Sequence, residues 1–229
     1  MPVNIVQNYC EQDLPGLADH YTWNISNNVL NFARDNGLVI TVGNSLERNL
    51  RLRAFYHQLY LKGSEKMRIA VIRSYVKDWG GIHALADDNI ERYARGIGRD
   101  GIDINSIKNV ASYSKALAVI DPQQYTIFDA RVGASLNSLF LLNNKTEIFF
   151  PSTPSRNEII RKFQRMLRPR IPYRTPSYGY REYLDLLHQV KKRLQNNGVE
   201  IQSIEAIEML LFAKAESLCG KAMEAINQG

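Results

Sequence analysis

The chain is poor in the residues on which several chemistries depend. Only two of its 229 residues are cysteines, Cys10 and Cys219, placed near opposite ends. That leaves no disulfide framework, no CxxC zinc site and no four-cysteine iron–sulfur cluster. His20, His57, His83 and His188 are scattered, with no HExxH and no metal-ligand spacing, so no metal is expected. There is no GxGxxG after a strand, no Walker loop and no GxSxG elbow, and no cofactor is expected. No apolar run approaches the roughly 18 residues of a membrane span, which argues against a membrane partner. Met1-Pro2-Val3-Asn4 has neither the basic nor the apolar stretch of a signal peptide. A cytoplasmic location is the expectation.

What remains is a globular composition, 45% apolar and 10% aromatic, with a net charge of +6. That charge is concentrated. Between Arg161 and Arg193 ten cations face only Glu182 and Asp185, a local excess of +8 that leaves the remainder slightly acidic. Arg161, Arg165, Arg168, Arg170 and Arg174 belong to this stretch, interleaved with Tyr173, Tyr178, Tyr180 and Tyr183. Cations bind phosphates and aromatic faces stack on bases, so these arginines are candidate nucleic-acid contacts. The plainer alternative is a solvated helix face beside a proline-rich loop whose tyrosines pack inward.

The periodicity is mostly helical. Residues 22–36 read as a helix ending at Gly37, followed by a β-prone run over 38–42. Asn44 with Glu47 forms a capping-box pattern opening a helix to about Leu61, stopped by Gly63. Ser64 can cap the next helix, which ends at Trp79-Gly80-Gly81, and Asp88 with Glu91 suggests a further box on a short helix ending at Gly96 and Gly98. Asn105 opens a helix to about Ile120, broken by Asp121-Pro122. A helix follows from Asp129 to Asn143-Asn144, and Ile148-Phe149-Phe150 reads as a short strand or a packed loop. Ser155 with Glu158 caps a basic helix to about Leu167, Pro176 fits the first turn of a helix to about Leu194, and a last helix begins near Ser203. The expected fold is all-α, with nine or ten helices and little or no strand. A single domain over 1–229 is expected, with two lobes as an option: about 1–78 plus the C-terminal helices, and about 79–150.

The segment from Trp79 to Leu142 carries the residues with chemical potential. Lys108, Ala111, Ser112 and Lys115 share one face of the predicted helix at spacings of three, four and seven. Two lysines flanking two small residues would let a nucleic-acid backbone approach closely. Lys115 and Asp129 could pair an amine with a carboxylate for Schiff-base chemistry, the amine attacking an electrophilic carbon and the carboxylate managing protons. Against this, a lysine on a polar face is commonly solvated, and an aspartate before a helix is commonly an N-cap.

Ala111-Ser112-Tyr113-Ser114-Lys115, Asp121-Pro122 and Ile127-Phe128-Asp129-Ala130-Arg131-Val132 together resemble the helix-hairpin-helix DNA glycosylase superfamily. The likeness is to uncharacterised bacterial proteins of the 8-oxoguanine glycosylase fold, and covers about 79–142 plus the final helix around Ile207–Phe212. It implies an all-α protein that flips a base and cleaves its glycosidic bond. Lys115 is then the amine nucleophile and Asp129 its supporting carboxylate, with Trp79 and Tyr113 shaping the base pocket and Arg131 beside the backbone. The family's glycine-bearing hairpin is replaced by Ile107-Lys108-Asn109-Val110-Ala111, which leaves Lys108 as the anion contact there. The lysine–aspartate interval is shorter than in the eukaryotic-type enzymes. Phosphate contact or pairing with Asp129 is therefore an alternative role for Lys115.

The leading expectation is a DNA-binding, DNA-repair protein of glycosylase fold, acting as a base-excision glycosylase and AP lyase without an iron–sulfur cluster. The alternatives are a catalytically inert nucleic-acid-binding module and a helical adaptor for an acidic protein partner.

Overall fold

The computed structural model describes residues 2–96, 109–145, 149–170 and 179–228. Their fold is all-α, as expected, and no described residue lies in a strand. In chain order the helices are α1 (Pro2–Asp13), α2 (Leu17–His20), α3 (Asn27–Asp35), α4 (Ser45–Lys62), α5 (Glu65–Arg73), α6 (Asp87–Gly96), α7 (Val110–Ile120), α8 (Ala130–Leu142), α9 (Glu158–Leu167), α10 (Tyr180–Asn196) and α11 (Glu205–Gln228). α5 runs on into a π-helical segment, Ser74–Trp79. The helix start at Asn105, the turn at Gly98 and the proline at 176 fall outside the described residues, as do Lys108, Arg174, Tyr173 and Tyr178.

Most helix ends follow from local chemistry. Asn44 and Glu47 exchange side-chain and backbone hydrogen bonds across the first turn of α4, as the capping box requires. Ser64 Oγ accepts from the Met67 amide at the start of α5. α3 stops where Gly37, at φ +100°, lets the Leu38 amide reach Ala33 O. α8 stops in the same way at Asn144, φ +55°, with the Lys145 amide on Phe140 O. Asp121 Oδ1 collects the amides of Gln123 and Gln124 after α7.

Several starts differ from the sequence reading: α7 begins at Val110 behind a non-helical Asn109, later than a start at Asn105, and α10 begins at Tyr180 behind an extended Gly179, later than a first turn at Pro176. Residues 22–26 are not helical: Trp23 O accepts from Ser45 Oγ and Asn49 Nδ2, so tertiary bonds claim that backbone. α6 opens two residues early, at Asp87, whose side chain bonds Arg73 and Lys77, and this leaves Asp88 inside the first turn. α9 is capped by Asn157, whose side chain accepts from the Ile160 amide; Ser155 Oγ instead accepts from the Asn157 amide. The β-prone run 38–42 forms no strand, and Val39 and Val42 stand exposed.

The chain divides into two compact units. One comprises residues 1–20 and 128–229, the other 21–127. These borders differ from lobes of about 1–78 plus the C-terminal helices and about 79–150, because α7 and the π-helical segment pack with α3, α4 and α5 inside 21–127.

Within 21–127, the interior is built around Asn49. Its side chain is fully buried, donates to Trp23 O and Ser45 O, and accepts from Trp79 Nε1 at 2.8 Å. Trp79 stacks on Tyr75 at 4.5 Å, Tyr75 meets Tyr56, and the Tyr56 hydroxyl bonds Ser74 Oγ at 2.8 Å. In the other unit, α8 and α11 pair most extensively, with α9 against both and α10 against α1. Ala134, Ala215, Cys219 and Ala222 are small enough to let the helices approach, and Ile160 and Phe163 of α9 close the cluster. Burying each of those two large side chains contributes about 1.5–3 kcal/mol.

Asp87 ties α6 to the preceding helix through Arg73 Nη1 at 2.6 Å and Lys77 Nζ at 2.7 Å. The Arg73 bond first, then the Lys77 bond, hold its carboxyl down to about 2. Since an unfolded aspartate titrates near 4, the stabilisation is whole above that pH and is lost as pH falls through about 4 to 2. Asp87→Asn should therefore lower the melting temperature at pH 7, with the difference from the parent protein closing by about pH 2 in parallel thermal melts.

Candidate nucleic-acid interface

α9 separates two kinds of side chain by helical spacing. Ile160, Phe163 and Leu167 are buried against the core. Arg161, Arg165 and Arg168, at spacings of four and three, form a stripe on another face. With Phe149, Ser152 and Gln164 they line an open groove of about 470 Å³. All three arginines are exposed, and none forms an ion pair with a described carboxylate.

The opposite side of the groove is a loop, and side-chain amides hold it. Asn137 of α8 is buried; its Nδ2 donates to Phe150 O at 3.0 Å and its Oδ1 accepts from Phe150 N at 2.9 Å. Gln164 Nε2 donates to Thr153 O at 3.1 Å, tying the loop to α9 itself. Phe150 is fully buried between Phe128, Phe140 and Tyr183. Gly133 completes the seat: a Cβ there would lie 3.3 Å from Phe128 Cζ and 3.4 Å from Pro151 O. Neighbouring Phe149 is half-buried, packed in part on the cluster of α8, α9 and α11.

Arg131 and Arg170 are spent on the fold. Arg131 Nη2 pairs with Glu216 Oε1 at 2.8 Å and its guanidinium lies 5.0 Å over the Phe212 ring. Asn157 Nδ2 donates to the same Glu216 oxygen. Arg170 Nη2 donates to Ile226 O at 3.1 Å, satisfying a carbonyl in the last turn of α11.

The residues expected to carry catalysis are also engaged structurally. Asp129 is the N-cap of α8, its Oδ1 accepting from Arg131 N at 2.9 Å and Val132 N at 3.2 Å. Lys115 is not on a polar face. α7 is small and apolar almost all round, so Ser112 through Leu117 are all buried and Lys115 is only 5% exposed. Lys115 Nζ donates to Ala111 O at 3.3 Å, and its stem crosses Gly80 so closely that a Cβ there would lie 2.6 Å from Lys115 Cδ.

Ser112 turns inward as well, bonding Asn109 O and the Tyr93 hydroxyl. The expected base-pocket residues are interior. Trp79 is covered by Tyr75 and by the Arg53 guanidinium 5.0 Å away. Tyr113 packs edge-on to Tyr93, and burial, reinforced by Tyr125 and Tyr93, pushes its phenol up to about 12. Among the described residues no cluster of three or more His, Cys, Asp or Glu could hold a metal ion, and no helix is long and apolar enough to cross a membrane.

Sequence reasoning reached the three groove arginines and missed Phe149, Ser152, Gln164 and the supporting Asn137. The available signal was Asn137 itself, a polar amide in the middle of the apolar helix Ala130–Leu142, where such a residue commonly serves a backbone partner. No family model, characterised protein sequence or solved structure matches the chain.

Removing the Asn137 amide would strand the buried Phe150 N–H and C=O together. At about 1–3 kcal/mol for each unsatisfied group, Asn137→Ala should destabilise the protein by roughly 2 kcal/mol or more in urea unfolding. Asn137→Asp should recover part of that loss only at low pH, where the protonated carboxyl can accept from Phe150 N and donate to Phe150 O.

Proposed function

We propose that this protein binds nucleic acid, DNA in the first instance, through the α9 face bearing Arg161 and Arg165, continued by Arg168 in the 3-10 turn that follows. The observation that carries this reading is the stripe itself: three exposed guanidinium groups beside one groove, without described carboxylates to neutralise them. Like charges at helical spacing repel, and a phosphate backbone supplies the missing countercharge. Guanidinium groups offer it planar, bidentate hydrogen bonding.

This favours a binding module over the base-excision enzyme. A glycosylase/AP lyase needs an amine that reaches the sugar, whereas Lys115 is only 5% exposed. The carboxylate expected to support the reaction, Asp129, has one oxygen, Oδ1, on two backbone amides of α8. Binding without catalysis asks nothing of either residue.

Three phosphate contacts predict that log K falls against log salt with a slope of about 2 to 3. Arg165→Gln should reduce that slope by about one, whereas Lys162→Gln, on α9 but outside the groove lining, should change it less. Gel shifts over a salt series read both. Duplexes bearing oxidised, alkylated or deaminated bases should yield no borohydride-trapped adduct. A trapped adduct that disappears in Lys115→Gln would restore the enzyme reading.

A further inference from the structure

The groove beside α9 has a shape that discriminates between forms of nucleic acid. A helix that reads duplex DNA must enter a major groove about 12 Å wide and so needs clear space on both flanks. α9 lacks that space. Its apolar flank is buried on α8 and α11, and its arginine stripe faces the loop 149–153 across the groove. That loop is a fixed wall, fastened at Phe150 by one hydrogen bond donated and one accepted by Asn137, and at Thr153 by one donated by Gln164. Duplex phosphates would meet the rim, while the interior of about 470 Å³ accommodates one narrow chain.

The lining is also mixed in a particular way. Arg161 to Arg168 rises about 10 Å along the helix at 1.5 Å per residue, the reach of about three stacked nucleotides of one strand at 3.4 Å each. Beside these cations sits Phe149, whose ring is divided between the core and the groove. Cations following a backbone beside an aromatic surface are the combination that holds unpaired bases by stacking, with little regard to sequence. A duplex, whose bases are already stacked on each other, has no use for that ring.

We infer that the groove seats a single strand, with Arg161, Arg165 and Arg168 on successive phosphates and Phe149 stacking on an unpaired base. This rests on the nucleic-acid reading and adds to it the strand state and the stacking residue. Gln164 is a positioning residue here, since it fastens the wall to the helix.

Fluorescence anisotropy of the full chain with a labelled 15-nucleotide oligothymidine and with a 15-base-pair duplex, at matched salt, tests the inference. The single strand should bind at least tenfold more tightly. Phe149→Leu, which preserves the apolar contact with the core, should weaken the single strand about tenfold and leave the duplex unchanged. Phe149→Trp should restore strand binding, and thermal melts check that both variants fold. Equal or tighter duplex binding overturns the inference while leaving the nucleic-acid reading intact, as does an equal effect of Phe149→Leu on both ligands. No binding of either, or tighter binding of polyglutamate than of both, removes the nucleic-acid reading as well.

Discussion

The groove beside α9 exists because one side chain imitates a β-strand. Asn137 presents a donor and an acceptor to the backbone of Phe150, the same pair of bonds a neighbouring strand would make. Among the described residues no strand offers an edge on which to lay an irregular segment, and a buried backbone group without a partner costs about 1–3 kcal/mol. The amide of Asn137 resolves that conflict and fixes Phe150 in the core. Its neighbour Phe149 is thereby set at the groove. Gln164 repeats the device one step farther along, at Thr153.

The 21–127 unit uses the same solution in its interior. Asn49 has no solvent contact, yet its amide serves two carbonyls and the Trp79 indole. Satisfied buried amides are strongly directional, so they select one arrangement of the surrounding aromatic rings rather than merely adding attraction. The burial of Trp79 in that arrangement is why it is unsuited to receiving a base.

What could be read from the residues was what they decide locally. The Asn44–Glu47 box, the Ser64 cap, the stop at Gly37 and the break at Asp121-Pro122 each depend on atoms within a few positions. The choice of Asn157 over Ser155 as cap did not, because it turns on which register aims Ile160 and Phe163 at α8 and α11. The misplacement of Lys115 has a related cause: helical spacing assigns it to a face, but whether that face meets water depends on what packs against α7. For the candidate interface, Arg161, Arg165 and Arg168 were legible through charge and spacing. Arg131 and Arg170 looked equivalent to them, and only their distant partners, Glu216 and Ile226, distinguish a structural cation from an available one.

The π-helical turn at Ser74–Trp79 contains one residue more than an α-turn would. Its signature is the bond from Gly80 N back five residues to Tyr75 O. One residue of helix is about 100° of rotation, so everything after the turn is aimed differently from where an unbroken α-helix would aim it. The direction of Trp79 toward Asn49, and of Gly80 under the stem of Lys115, is thus set by residue count as much as by residue type. In genetic terms the interior of this unit is more vulnerable to loss of a single codon between Ser74 and Trp79 than to many conservative exchanges there, because a deletion re-aims two interior contacts at once.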